Sequence, residues 1–364
     1  MLLPSGLKKR VMDKSFDIRQ LVRSNIRELV PYSSARDEFS GTASVFLDAN
    51  ENPHNPPLNR YPDPKQLELK SLIAGMKGVK VENLFLGNGS DEGIDLLFRV
   101  LCNPGSDNVI TADPTYGMYG VCAGINDVQQ KSVLLRPDFQ PDVEGILDAV
   151  DDRTKMIFLC SPNNPTSNSL NIKDLVQIIE NVNCMVVLDE AYIDFSRQRS
   201  LVSMVPEYPN LVILQTLSKA WGLAGIRLGM VFAHRDLIAY LANVKYPYNL
   251  NSLSMKTAMD ALSGPNTAKH WVEQILHERE LLTGILKNLH FVKEIYPSDA
   301  NFLLVRVSEP KKIYSYLKQK GIIVRDRSSV PRCEGCLRIT IGTGQENKLL
   351  VDALKAFSET SEID

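Results

Sequence analysis

No apolar run in this chain of 364 residues reaches the roughly 20 residues that a membrane-spanning helix needs. Met1 to Lys14 carries basic side chains but lacks an apolar core of signal-peptide length. These two absences predict a cytoplasmic protein. An excess of either charge is also missing: 41 Lys and Arg face 43 Asp and Glu, for a net charge of −2. That balance gives nucleic acid and anionic membranes no bulk attraction. Cysteines are few and scattered, at 102, 122, 160, 184, 333 and 336. Cys333 and Cys336 form a lone C-x2-C, with no second cysteine or histidine pair to complete the four ligands of a structural zinc. No metal is expected, and the thiols read as free and buried. The chain also lacks internal repeats and low-complexity tracts.

What is present is ordinary globular composition, 44% hydrophobic and 23% charged. It is enough chain for one large domain with a smaller companion. Residues 1–60 read as an arm with part of the small domain, 61–255 as the large domain and 256–364 as the small C-terminal domain. In the arm, Ile18 to Leu29 is amphipathic, Val45-Phe46-Leu47 predicts a brief strand, and Asn52 to Pro64 is a proline-rich loop. Helical spacing then alternates with short apolar segments. Leu84–Leu86, Val109-Ile110, Val133–Leu135, Met156–Cys160, Met185–Leu188, Leu211–Leu214 and Met230–Phe232 predict strands. Leu67–Met76, Asp91–Leu101 with Ser90 as N-cap, Asp142–Val150 and Ile172–Ile179 predict helices. The alternation argues for an α/β fold with a mostly parallel sheet covered by helices on both faces. One long helical region, Ser252 to Leu289, leads to strands at 302–305 and 337–341 and to helices over Pro310–Lys320 and Asn347–Phe357.

Ligands of such sheets bind in loops at the carboxyl ends of strands, and the loops here are distinctive. Thr216-Leu217-Ser218-Lys219 follows the strand Leu211–Leu214 and precedes a glycine-rich stretch ending at Arg227. A partly buried lysine there is suited to a Schiff base with an aldehyde cofactor, with Ser218 and Arg227 on the cofactor's phosphate. Gly87-Asn88-Gly89-Ser90-Asp91 opens a helix after a strand, so Gly89, Ser90 and Asp91 can bring backbone N–H groups to an anion. Tyr116, in Asp113-Pro114-Thr115-Tyr116, can stack on a flat ring. Asn164, in Ser161-Pro162-Asn163-Asn164-Pro165-Thr166, can donate to a phenolate oxygen.

Asp189 ends an apolar strand, where a carboxylate is costly unless paired. Beneath a pyridine nitrogen it would be attracted by roughly 4 kcal/mol. That is about three pKa units, enough to keep the ring protonated. Tyr192 can reach the ring's oxygen. Arg325 and Arg338, thirteen residues apart, suit a substrate phosphate or carboxylate. Taken singly, these segments also read as a capped turn, core tyrosines, a proline-rich turn, a capping aspartate and ordinary salt bridges.

Taken together and in this order, the segments resemble the fold-type-I pyridoxal-phosphate enzymes, and within them the histidinol-phosphate aminotransferase family. The resemblance runs from Val30-Pro31-Tyr32-Ser33-Ser34-Ala35-Arg36 to Leu337-Arg338-Ile339-Thr340. Its more specific marks are Leu47-Asp48-Ala49-Asn50-Glu51-Asn52, Asn59-Arg60-Tyr61-Pro62-Asp63 and Tyr246-Pro247-Tyr248-Asn249-Leu250-Asn251. It implies a seven-stranded large-domain sheet, a smaller α+β domain and pyridoxal 5'-phosphate linked to Lys219. Asp189, Lys219 and Tyr192 would be catalytic, with Asn164, Tyr116, Ser218, Arg227 and Gly89 to Asp91 also on the cofactor.

The same resemblance implies that Tyr61 crosses a homodimer interface to the neighbouring cofactor phosphate. Tyr32, Asn249, Arg325 and Arg338 would line the substrate pocket. The implied reaction converts histidinol phosphate and 2-oxoglutarate to imidazole-acetol phosphate and glutamate. An aromatic aminotransferase and a phosphothreonine-type decarboxylase are the alternatives on this scaffold. The family's asparagine turn commonly ends in glycine, where this chain has Ser167; a positive φ there would strain a serine modestly.

Overall fold

The computed structural model of the chain describes residues 16–32 and 43–361. The N-terminal basic stretch and residues 33–36 of the family motif lie outside them. Short helices α1 (Ile18–Leu21) and α2 (Ser24–Arg27) open the described chain. The large domain then runs α3 (Leu67–Lys77), β1 (Leu84–Asn88), α4 (Gly89–Leu101), β2 (Asn108–Asp113), α5 (Met118–Ile125), β3 (Gln129–Leu134), α6 (Val143–Ala149), β4 (Thr154–Cys160), α7 (Ile172–Asn181), β5 (Met185–Asp189), β6 (Leu211–Thr216), β7 (Leu228–Phe232), α8 (Arg235–Val244) and α9 (Ser252–Leu262). The small domain follows with α10 (Pro265–Leu286), β8 (Val292–Ile295), β9 (Phe302–Val307), α11 (Pro310–Gln319), β10 (Arg325–Asp326), β11 (Cys336–Thr340) and α12 (Gly344–Ser361).

Seven strands form one sheet in the order β1-β7-β6-β5-β4-β2-β3. Only β7 runs against its neighbours, which a tight return from β6 permits without a crossover helix. The central strands are near-continuous apolar runs, with polar residues only toward their ends, because both faces are covered. Ile157, Leu159, Val186, Leu188, Leu211 and Ile213 enter the core on one face. The alternate residues Met156, Phe158, Met185, Val187, Val212 and Leu214 enter the core on the other, as a period of two requires. Helices follow the 3.6 period: Ile94, Leu97, Phe98 and Leu101 of α4 are all buried, as are Leu175, Ile178 and Ile179 of α7. Leu69 and Ile73 of α3 share a core with Met255, Ala258 and Leu262 of α9. The small domain is an antiparallel sheet, β10-β11-β9-β8, packed on α10, α11 and α12 around Leu303, Val305, Leu337 and Ile339.

Four local expectations are corrected. Val45-Phe46-Leu47 is irregular chain rather than a strand, and Leu47 is 92% exposed. Ser90 is not the N-cap of α4, because Gly89 takes φ +74° and already begins the helix. The region 252–289 is two helices, broken at Gly264 with Pro265 opening the second, a position where a missing N–H costs nothing. Two strands carried no apolar signal: β8, Val-Lys-Glu-Ile, is half-exposed, and β10 is only two residues long. The six cysteines are free and buried. Among the described residues no helix is long and apolar enough to cross a membrane.

Candidate active site

Five strand ends converge on a cavity of about 190 Å³. Lys219 stands in the link between β6 and β7, with its Nζ 5.5 Å from the centre of the Tyr192 ring. Its side chain opens into the cavity, yet the surrounding protein removes enough water to lower its pKa, and Arg338 lowers it further. Thr216 Oγ1 accepts from the Ser218 backbone N–H (3.1 Å) and donates to Ser218 Oγ (2.9 Å), which fixes the residue before the lysine.

Asp189 closes β5 and is buried. Tyr119 donates its hydroxyl to Oδ2 (2.8 Å), and the Ala191 N–H donates to Oδ1 (3.0 Å). No cation pairs with it among the described residues, and burial pushes its pKa up to about 6 despite those two donors. Its sequence neighbour Glu190 points elsewhere: Ser200, the Leu201 N–H and Gln215 bind its carboxylate as a structural knot.

The opposite end is built from backbone. Gly89 begins α4 at φ +74°, and a Cβ there would lie 2.6 Å from Arg227 Nη2. A Cβ on Gly229 would lie 2.1 Å from the Gly89 carbonyl carbon and the Ser90 nitrogen. Both glycines are therefore steric requirements of one cradle. The Gly89 N–H donates to the Arg227 carbonyl (2.9 Å), while the N–H groups of the next residues face outward from the helix start. Arg227, itself at φ +55°, sets its guanidinium 3.6 Å from Asp91. Helix dipole, free N–H groups and guanidinium make this end an anion site.

Tyr116 forms one wall, edge-on to Tyr119 (5.6 Å), with its hydroxyl donating to Asp91 (3.2 Å). Asn164 forms another. Its Oδ1 accepts from Arg338 Nη1, so the amide orientation is fixed by a partner that can only donate. Its Nδ2 has no hydrogen bond among the described residues and is left for a ligand. Asn163, buried one residue earlier, holds the turn by donating to Pro114 O (2.8 Å) and Thr166 Oγ1 (2.7 Å). Tyr192 is buried edge-on against Phe302 (5.1 Å).

Gly89, Ser90, Asp91, Tyr116, Asn164, Asp189, Tyr192, Ser218, Lys219 and Arg227 therefore line one space, and Arg338 touches it through Asn164. Arg325 is exposed on the strand opposite Arg338. Three more expected residues, like Arg325, lie outside the cavity lining. Tyr61 stacks on Tyr248 (4.4 Å) in a separate surface depression beside Asn50 and Glu51. Tyr32 is exposed beside Lys70 and Lys245. Asn249 has its amide fully used, accepting from Gln66 (2.7 Å) and donating to Leu86 O (3.0 Å) and Glu92 (3.2 Å). Tyr119 was not singled out by sequence, although it lies only three residues after Tyr116.

A buried carboxylate without a cation faces this cavity, a lysine of lowered pKa enters it, and a backbone cradle for a phosphate closes its far end. That set fits pyridoxal phosphate, and with the two-domain architecture it defines the class: a fold-type-I pyridoxal-phosphate enzyme. Comparison with known proteins narrows the class. Residues 37–354 match the family described as aminotransferase class I and II. The histidinol-phosphate aminotransferase of Parabacteroides distasonis is 54% identical over 339 residues, 93% of this chain and 98% of that protein. The chain belongs to this aminotransferase family. Among solved structures, the histidinol-phosphate aminotransferase of Clostridium acetobutylicum has the same fold, with a TM-score of 0.77 at 24% identity over 83% of this chain and 92% of that one. The Sinorhizobium meliloti histidinol-phosphate aminotransferase, in complex with pyridoxal-5'-phosphate, gives 0.75 at 23% identity, over 83% of each chain.

Proposed function

We propose that the protein is a pyridoxal-phosphate-dependent transaminase of histidine biosynthesis. It takes the amino group of histidinol phosphate to 2-oxoglutarate, forming imidazole-acetol phosphate and glutamate. The observation that carries the reading is the pairing, across one cavity, of Lys219 with an Asp189 carboxylate that has no protein counter-charge. Bound there, the cofactor supplies an aldehyde carbon and a protonated ring able to take up electrons from the donor's α-carbon.

The chain supplies the rest. Lys219 Nζ, deprotonated more readily than an ordinary lysine, accepts the α-proton and returns it. Asp189 holds the proton on the ring nitrogen, and Tyr119 and the Ala191 N–H hold Asp189. Asn164 Nδ2 and the Tyr192 hydroxyl hold the ring oxygen, while Tyr116 covers the ring face. Ser218, Arg227 and the start of α4 hold the phosphate. Arg338 and Arg325 bind the substrate's anionic group.

A cytoplasmic homodimer completes this reading. Leu58, Tyr61 and Leu253 are exposed large apolar side chains around one surface depression, and a contiguous patch of that kind marks an interaction face. Tyr61 reaches the neighbouring subunit's cofactor phosphate across it. Tyr32 and Asn249 lie outside this chain's own cavity, so a substrate role for them also requires the assembled dimer.

The test is a donor panel. Histidinol phosphate, tyrosine and phenylalanine are each mixed with holoenzyme, and the cofactor's absorbance change is followed before 2-oxoglutarate is added and glutamate measured. Histidinol phosphate should react fastest and yield stoichiometric glutamate. Preference for the aromatic amino acids overturns the substrate, and release of carbon dioxide without glutamate overturns the reaction.

A further inference from the structure

The small-domain wall carries a third guanidinium that the reaction just described does not use. β10 and β11 pair antiparallel with Arg325 directly opposite Arg338. The ladder continues beyond β10, since the Arg327 N–H donates to Cys336 O (2.9 Å). Residues two apart on a strand share a face, and so do directly opposed residues. Arg325, Arg327 and Arg338 thus project from one face of the ribbon. That face looks toward the cavity: Arg338 binds Asn164 and lies over the Phe302 ring at 5.3 Å. The other face buries Leu337 and Ile339 in the small-domain core.

No carboxylate answers these three charges. None of the three makes a salt bridge among the described residues, and Asp326 points to the opposite face, where it accepts from the Ser328 N–H (2.8 Å) and its hydroxyl. The Nε of Arg327 is buried with no hydrogen-bond partner. The Nε of Arg306, on β9, is likewise without a hydrogen bond, but Arg306 has an acidic neighbour: it donates to the Tyr296 hydroxyl and sits 3.8 Å from Glu294. What sets the ribbon apart is three guanidinium groups on one face with no carboxylate among the described residues to pair them, an arrangement suited to an incoming anion. Burial lowers the guanidinium pKa of Arg327, and Arg338 and Arg325 lower it further; burial also lowers that of Arg338, where Tyr192 opposes the shift and Arg325 adds to it.

We propose that Arg327 is a specificity-determining residue, the third guanidinium of an anion site that selects a phosphate monoester over a carboxylate on the amino donor. The inference rests on the functional reading above and deepens it. A carboxylate brings one negative charge and is saturated by a single guanidinium fork. A phosphate monoester brings about −1.5 to −2 charges at neutral pH and three acceptor oxygens. One arginine, Arg338, already spends an Nη on Asn164, so a dianion needs the further donors that Arg325 and Arg327 present.

The experiment compares holoenzyme with Arg327→Gln and Arg327→Lys, using histidinol phosphate, unphosphorylated histidinol and glutamate as donors. In Arg327→Gln, kcat/KM for histidinol phosphate relative to histidinol should fall roughly 10- to 100-fold, mainly through KM, as expected for loss of a charge-assisted hydrogen bond. The glutamate reaction should change less than about threefold, and Arg327→Lys should restore part of the discrimination, because charge without the planar fork is an incomplete substitute. An unchanged ratio in Arg327→Gln overturns the proposal, as does an equal loss for all three donors. If Arg327→Gln does not yield folded holoenzyme, Arg327→Lys decides alone: the ratio must fall at least about threefold, and a wild-type ratio overturns the proposal. Wild-type enzyme that does not prefer histidinol phosphate to histidinol overturns the functional reading, and the inference with it.

Discussion

The two walls of the cavity are built on different terms. On the large-domain wall Asp189 and Ser218 stand at or just after the ends of buried strands and are held by neutral neighbours: Asp189 by Tyr119 and Ala191, Ser218 by Thr216. On the small-domain wall three arginines stand on a short edge ribbon, and Arg338 alone is anchored across the cavity. The first wall keeps one negative charge in a dry place; the second presents several positive charges that nothing in the described protein neutralises. In the proposed reaction the covalent chemistry belongs to the large-domain sheet, and recognition of the donor's anion to the domain that carries no covalent step.

The sharpest way to break this division is at its covalent centre. Lys219→Ala should reduce turnover by at least about 10⁴-fold, since it removes both nucleophile and proton carrier. Donor binding should survive, because the arginine wall is untouched. Rapid-mixing absorbance with histidinol phosphate checks both points, and multiple turnovers by the variant would remove Lys219 from the mechanism.

Asp189→Asn separates function from stability on the first wall. Loss of a charge interaction of about 4 kcal/mol should lower kcat by about 10³-fold. Cofactor-free protein should respond in the opposite direction. The Asp189 pKa is raised to about 6 from an ordinary value of 3.8, so below about pH 4 the carboxyl is neutral both folded and unfolded and burying it carries no charge penalty. As pH rises to about 6 the unfolded chain ionises first, and the folded state loses roughly 3 kcal/mol. Cofactor-free Asp189→Asn should therefore melt higher than wild type at pH 7, and the gap should close toward pH 4. Thermal melts of both proteins across that range measure it. A gap independent of pH would mean that Asp189 is not buried as an unpaired acid.

A smaller effect tests what holds Asp189 in place. Tyr119→Phe removes one donor to the carboxylate but keeps a ring stacked on Phe158 at 4.6 Å. The lost hydrogen bond had favoured the ionised form, so the Asp189 pKa should move further up. About a tenfold fall in kcat is expected, together with a shifted pH dependence of the bound cofactor's absorbance. A purely structural tyrosine would change yield or melting temperature and leave that spectrum alone.

How far the sequence spoke for each wall follows from the same contrast. Residues of the first wall were legible because the apolar segments break off abruptly, in turns with Gly, Pro or Asn after β1, β2 and β4 and in the polar residues Asp189-Glu190 and Gln215-Thr216 at β5 and β6, which marks a position at a carboxyl edge without knowledge of the sheet order. Tyr119 was not, because only the turn of α5 decides that it, rather than Tyr116, meets Asp189. Nor could the motif around Asn249 show that Gln66, Leu86 and Glu92 engage its amide within this chain. The second wall was half legible. The 13-residue spacing pointed to Arg325 and Arg338, but Arg327 becomes part of the set only when register places it on their face. The direction of β7 was hidden too, since an apolar pentapeptide reads the same in either sense.

The mildest effect lies where the two walls meet. Ser167 stands at φ +67°, fully buried, in place of the glycine that commonly ends this turn in the family. Its hydroxyl lies within reach of Pro297 O on the small domain (3.2 Å), and its carbonyl accepts from the Asp299 N–H (2.8 Å). Ser167→Gly would relieve about 1 kcal/mol of left-handed backbone strain. It would also forfeit a buried hydrogen bond of about 1 kcal/mol and give the unfolded chain back up to about 1 kcal/mol of backbone entropy. The net expectation is a loss of about 1 kcal/mol or less, read as a melting point lower by about 1–3 °C, with kcat unchanged because Asn164 keeps its place. A large gain in stability would mean that strain dominates at this turn; a large fall in kcat would mean that the serine, bridging the domains, sets the distance between the aspartate wall and the arginines.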